Sequence, residues 1–177
     1  MTQPKRSEGN PTKRQRQPER SGGNPAKRQR RDVGRDVGQP KPNNENERLA
    51  IQFFTTLSSG DLEGVRALLH EEATWKTMVK DIPGAGTHVG PSGIVDKFLL
   101  PIRGMFKPGD PKILVDTIAS NGPLVISETR GQGVFANGRE YANNYCWAFE
   151  MKDGKVFAIR EYMDSLYVSR VTATETQ

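Results

Sequence analysis

The sequence predicts an α+β domain over residues 44–171, a curved, mostly antiparallel sheet closed around a pocket by three helices. Three observations carry this. Helical spacing of apolar residues is confined to the first half of the segment, and strand-like runs fill the second. Three turn signatures, Asn121-Gly122, Asn137-Gly138 and Asp153-Gly154, separate four such runs at 112–120, 123–136, 139–152 and 155–164. Asn-Gly and Asp-Gly supply the positive φ that tight hairpins demand, so consecutive runs pair antiparallel as a meander. One strand face is a row of rings and polar groups, as a ligand cavity requires.

The elements follow in order. A helix starts near Glu45, where Asn43 or Asn44 can cap it, and Leu49, Ala50, Phe53, Phe54 and Leu57 form its apolar face. Ser58-Ser59-Gly60 breaks it. Asp61 caps a second helix with Leu62, Val65, Leu68 and Leu69 on one stripe. Residues 73–78 alternate as a strand, and 82–90, rich in Gly and Pro, read as a loop. Ile94, Phe98, Leu99 and Ile102 mark a third helix, which Pro101 bends or ends. Gly131 and Gly133 suggest a bulge that bends the sheet.

Residues 1–43 differ in kind. Twelve of the 26 Lys and Arg but four of the 21 Asp and Glu lie in residues 1–44, a net charge of +8. That leaves 14 basic against 17 acidic residues in the remainder, so the pI near 9.4 belongs to the tail. The tail lacks the apolar residues needed to offset chain entropy, which predicts disorder. It repeats RSEGNPTKRQRQPE as RSGGNPAKRQRRDV, and RDVG occurs twice. Its two KRQR clusters, from Lys13 and Lys27, have bipartite nuclear-import spacing and would attract an anionic partner without sequence preference; a solvated extension is the plainer reading. Residues 172–177 are expected to be a disordered C-terminus.

The lone Cys146 excludes an intrachain disulfide and reads as a small buried residue. No apolar run reaches membrane length and no secretory h-region is present, so a cytoplasmic protein is expected, with a nuclear location if the KRQR clusters act. Separated His70 and His88 give no metal site, and nothing calls for a cofactor. His70 closes the second helix, where a cation is mildly stabilising; His88 falls at the rim of the expected pocket.

Strand parity places Tyr141, Asn143, Tyr145, Trp147 and Phe149 on one face and Glu140, Ala142, Asn144, Cys146, Ala148 and Glu150 on the other. The first face is either a cavity lining or a plain core face. Glu128 and Arg130 share a side of their strand. On the cavity side, with Asp164 arriving from the neighbouring strand end, two carboxylates would flank one guanidinium; on the other side they form an ordinary surface pair.

The stretch YANNYCWAFEMKDGKVFAIREYMDSLY, from Tyr141 to Tyr167, resembles the closing hairpin of SnoaL-like, ketosteroid-isomerase-related proteins of the nuclear-transport-factor-2-like superfamily. The motifs are Gly138-Arg139-Glu140-Tyr141, Asp153-Gly154-Lys155 and Arg160-Glu161-Tyr162-Met163-Asp164, with the Gly84-Ala85-Gly86-Thr87-His88-Val89-Gly90 loop upstream. The resemblance implies a cone-shaped, cystatin-like α+β roll, often a homodimer through the sheet's outer surface. It also implies cofactor-independent isomerase, cyclase or hydrolase chemistry on a hydrophobic polyketide, terpenoid or steroid-like molecule, or non-catalytic binding of such a ligand or of a protein. The isomerases' base falls on Trp75-Lys76-Thr77-Met78, which holds no carboxylate. The epoxide hydrolases' Arg-x-Asp pair falls on Glu128-Thr129-Arg130 in reversed order. By this resemblance Asp164 is the candidate acid/base, assisted by Arg130 and Glu128, with Trp75, Tyr141, Asn143, Tyr145, Tyr162 and His88 as ligand contacts.

Overall fold

The computed structural model describes residues 38–173; the expectations for the basic repeats and the last four residues lie outside them. Helix α1 (Glu45–Ser59) begins where Asn44 Oδ1 accepts from the Glu47 N–H at 3.0 Å and ends at Gly60, whose φ of 83° only glycine adopts freely. Asp61 caps α2 (Leu62–Leu68) through the Gly64 N–H. Strand β1 (Leu69–Thr77) follows directly.

The segment expected to be a loop contains a strand, β2 (Gly86–Val89), paired antiparallel with β1 so that Trp75 faces His88. Four residues rich in small side chains carry too little alternation to reveal a strand; pairing with β1 makes it one. The chain then runs helical through α3 (Gly90–Ile94), a π turn (Val95–Leu99) and α4 (Leu100–Gly104). Pro101 neither ends nor begins a break. The Leu100 N–H reaches back five residues to the Val95 carbonyl, and this wider turn absorbs the proline.

Strands β3 (Lys112–Asn121), β4 (Leu124–Val134), β5 (Glu140–Lys152) and β6 (Lys155–Met163) form the meander. The six-stranded order is β2-β1-β6-β5-β4-β3, with β1 and β6 parallel and every other pair antiparallel. Pairing of β4 with β5 runs without a slip from Leu124↔Glu150 to Val134↔Glu140, so Gly131 and Gly133 mark no bulge. The meander's irregularities lie elsewhere: in β3, where Asp116 is the extra residue between Val115 and Thr117, and between β5 and β6 at Glu150/Met151. Residues 165–171, where the sequence predicts no element, and Thr172, expected as the start of the tail, form a helix α5 (Ser165–Thr172).

Helix α1 lies across the concave face. Phe53 and Phe54 are fully buried and meet Trp75, Trp147 and Phe149 edge-on or tilted at centroid distances of 5.4–5.7 Å. Buried Glu47 ties the helix start to the sheet: it accepts from the Asn43 N–H at 2.7 Å and from Ser120 Oγ at 2.8 Å. The Asn43 N–H, foremost, holds its carboxyl below the usual range. A carboxyl lowered on folding contributes stability above its unfolded pKa, and that contribution is lost as pH falls through the folded value. Glu47→Gln is therefore expected to flatten the acid limb of a stability-against-pH curve measured below pH 5 by urea unfolding.

A candidate acid/base site in the aromatic cavity

Between the open end of the sheet and the α3–α4 run lie two adjacent chambers of about 90 and 70 Å³. Both are lined by Phe98, Ile102, Pro111, Tyr145 and Glu161, so these residues form the waist. The outer chamber adds Phe106, Phe135, Tyr141 and Val168 of α5; the inner adds Leu57, Trp75, Ile113 and Trp147. The π turn sets Phe98 at the waist, and His88 stacks on that ring at 4.0 Å.

Strand register decides which side chains arrive here. Ile159, Glu161 and Met163 of β6 pair with Phe149, Trp147 and Tyr145 of β5, so all six share the concave face. Glu161 is thus an acid in an apolar row. It is 6% exposed, and its Oε2 accepts from Trp75 Nε1 at 2.8 Å. Burial pushes its pKa up to about 7, against the lowering effect of the Trp75 N–H. Tyr141 and Tyr145 hydrogen-bond to each other through their hydroxyls, and Asn143 Nδ2 reaches Tyr141 Oη at 3.3 Å. Burial, first of all, raises both phenols, that of Tyr145 strongly, so both keep their protons at neutral pH. The cavity therefore sets one titrating carboxyl and a protonated tyrosine pair in a largely apolar wall, with Arg103, which donates to the Leu57 carbonyl at 2.7 Å, also lining the inner chamber.

The glycines in β4 serve this wall. A Cβ on Gly131 would stand 2.9 Å from Tyr145 Cε2 and 3.4 Å from Tyr141 Cε1, and one on Gly133 would meet Asp110 and Pro111. Gly131→Ala is expected to cost about 1–3 kcal/mol by overpacking and to displace the Tyr145 ring; comparison of urea unfolding with ligand affinity separates the two effects.

The model of the SnoaL-like domain matches residues 50–159. The chain belongs to the SnoaL-like family. No curated protein matches it at a significant level. Among solved structures this SnoaL-like chain is similar to an NTF2-like protein from Burkholderia xenovorans LB400, at 26% identity and a TM-score of 0.60 over 73% of this chain and 96% of that one. It is also similar to Bal32a from a soil-derived mobile gene cassette, at 25% identity and a TM-score of 0.62 over 70% and 92%. TerC, co-crystallised with polyporic acid, shares the fold at 17% identity and a TM-score of 0.64 over 72% and 97%. The nuclear-transport-factor-2-like cone is thus the fold of this SnoaL-like domain.

Within it, the residues expected at the site divide. Trp75, Tyr141 and Tyr145 line the chambers. Asn143 is buried behind Tyr141, and His88 stands behind Phe98; neither forms chamber wall. Tyr162 is 43% exposed on the convex face, because its neighbours Glu161 and Met163 take the concave positions. Glu128 and Arg130 also point to the convex side: Thr129 between them is buried and pairs with Tyr145. Arg130 pairs bidentately with Asp116 at 2.7–3.0 Å, a partner the β3 bulge supplies.

Asp164 is exposed and caps α5, its Oδ1 accepting from the Tyr167 N–H at 3.0 Å. The three residues expected to gather as two carboxylates around a guanidinium do not meet. Cys146, expected to be buried, is exposed on the same convex face. Among the described residues no three His, Cys, Asp or Glu cluster in a way that could hold a metal, and no helix is long and apolar enough to cross a membrane. Asp164→Ala is expected to cost about 1 kcal/mol through the lost cap, whereas Asp164→Asn keeps the cap and leaves both stability and ligand turnover unchanged. A turnover loss in Asp164→Asn would restore it to the site.

Proposed function

We propose that this SnoaL-like domain is a cofactor-independent acid/base catalyst acting on a small, largely apolar molecule of polyketide or terpenoid type, with Glu161 as the proton-transfer group. One observation carries the reading: Glu161 is buried at the waist of an apolar cavity with a pKa near 7. A group poised there is a usable base and a usable acid at neutral pH, which is the condition for efficient proton transfer. A purely structural glutamate gains nothing from a position that costs the fold stability whenever it ionises.

Trp75 holds one carboxylate oxygen through its indole N–H and leaves the other for the ligand. Tyr145 and Tyr141, on the neighbouring strand of the same concave face, provide the polar partner. Chambers of this size suit a compound of about one ring, since a ~150 Å³ apolar cavity holds benzene. Polyporic acid in crystals of TerC is a precedent within the same fold for a small organic ligand. The convex face, with exposed Leu114, Ile126 and Tyr162, is the surface through which a homodimer would form, and sedimentation of an Ile126→Lys variant tests it.

The function is tested by incubating the protein in D₂O with a panel of small lipophilic ketones, esters and epoxides and following exchange or conversion by NMR. Turnover of at least one compound by the wild type and none by Glu161→Gln supports acid/base catalysis. Equal turnover by both overturns it.

A further inference from the structure

The two chambers continue to the surface. An open groove of about 470 Å³ lies beside the outer chamber, and Met105, Phe135 and Thr172 line both. The outer chamber shares its waist with the inner one, so groove, outer chamber and inner chamber follow one another in series. The series changes character along its length. Asn137, Arg139 and Thr172 give the groove polar walls, whereas the inner chamber ends on Leu57, Ile113 and Trp147. Arg103 at that inner end donates to the Leu57 carbonyl at 2.7 Å, so its charge serves the last turn of α1.

The waist is held firmly. Phe98 is buried, carries the His88 ring stacked at 4.0 Å and meets Trp75 edge-on at 5.2 Å. Backbone closes on it as well: a Cβ on Gly84 would stand 2.8 Å from Phe98 Cε2. Tyr145, also at the waist, stacks on Trp147 at 5.4 Å. Rings packed this closely cannot swing aside without disturbing the core. This division decides the shape of the ligand. A ~150 Å³ apolar cavity holds benzene, and neither chamber reaches that size at about 90 and 70 Å³. A rigid ring has to fit within one space, whereas an open chain bends through a constriction and fills both.

We infer that the cavity takes an open aliphatic chain with a polar head, the head in the groove beside α5 and the chain threaded past Phe98 into the inner chamber. The two chambers together hold about six carbons, as many as benzene has. This rests on the cavity being the ligand site and names the substrate class for the reading above, with a mid-chain carbon passing Glu161.

NMR titration of the full chain with 1-butanol through 1-decanol, and with cyclohexanol, makes the test. Affinity is expected to rise about fourfold per methylene and to level off beyond about six carbons. Cyclohexanol should bind about tenfold more weakly than 1-hexanol, the effect of overpacking a fixed wall. Phe98→Leu opens the waist and should narrow that gap; Ile102→Ala serves if it fails to fold. Ala136 is exposed on the groove, and Ala136→Lys should tighten heptanoate relative to 1-heptanol by about twofold to fivefold, the range for an exposed ion pair. Affinity independent of chain length, or cyclohexanol binding as tightly as 1-hexanol, overturns the inference in the wild type alone. A gap unchanged by opening the waist overturns Phe98 as its cause, and an unchanged heptanoate ratio overturns the placement of the head. The alcohols undergo no proton transfer at carbon, so failure of acid/base catalysis leaves these affinities as they are and appears instead as unchanged turnover in Glu161→Gln.

Discussion

Glu161→Gln is expected to lower turnover by about 10²–10⁴-fold, the usual share of a general acid/base, while removing a stability loss that the wild type suffers as pH rises. The two effects have one origin. The folded Glu161 carboxyl sits near pH 7 and an unfolded glutamate near 4.5. Below pH 4.5 both states hold the proton and the group is neutral to folding. Between 4.5 and 7 the unfolded chain releases it and the folded chain retains it, so unfolding becomes easier as pH rises. Above 7 the cost is constant, and at about 1.4 kcal/mol per pH unit it reaches roughly 3 kcal/mol.

Glutamine cannot ionise and still offers an oxygen to the Trp75 indole. Urea midpoints at pH 5 and pH 8 should therefore fall for the wild type and stay nearly level for Glu161→Gln. The absolute stability of the variant is a poorer readout, because its new amide donors need partners in an apolar wall. Equal falls in both proteins would show that Glu161 ionises on folding as freely as in water, and the acid/base role would go with it.

Phe54→Ala is expected to cost about 3–5 kcal/mol. Phe54 is fully buried and meets the rings of Trp147 and Phe149 edge-on at 5.4 Å, so its removal leaves a hole that α1 cannot close without leaving the sheet. With domain stabilities of about 5–15 kcal/mol, that is a large fraction of the total. Equilibrium urea unfolding checks it; a loss under 1 kcal/mol would mean that α1 is not seated on the concave face. Trp147 also lines the inner chamber and donates to Thr129 Oγ1 at 2.8 Å, so the same variant should loosen ligand binding at the site's inner end.

The fold was largely legible from local chemistry. Asn44 and Asp61 cap the helices they were expected to cap, and the three Asn-Gly and Asp-Gly turns separate four antiparallel strands. The site was less so. The motif Arg160-Glu161-Tyr162-Met163-Asp164 contains the buried acid, yet the resemblance directs attention to its last residue. Alternation already distinguishes them: Ile159, Glu161 and Met163 share one parity, an acid between two apolar side chains, and Asp164 falls on the other.

Sequence alone determined the starts of α1 and α2, the hairpin positions and the sorting of Tyr141 through Phe149 onto one face, because capping, turn geometry and the two-residue strand period act over a few residues. Tertiary structure decided which face of each strand is concave, since that depends on where α1 settles and on the register between strands distant in sequence. It sent Glu128, Arg130 and Tyr162 to the convex side, made Asp164 a helix cap, and gave Glu161 a pKa that no window of neighbouring residues encodes. A raised carboxyl pKa is a property of exclusion from water. Only the packed cavity excludes it.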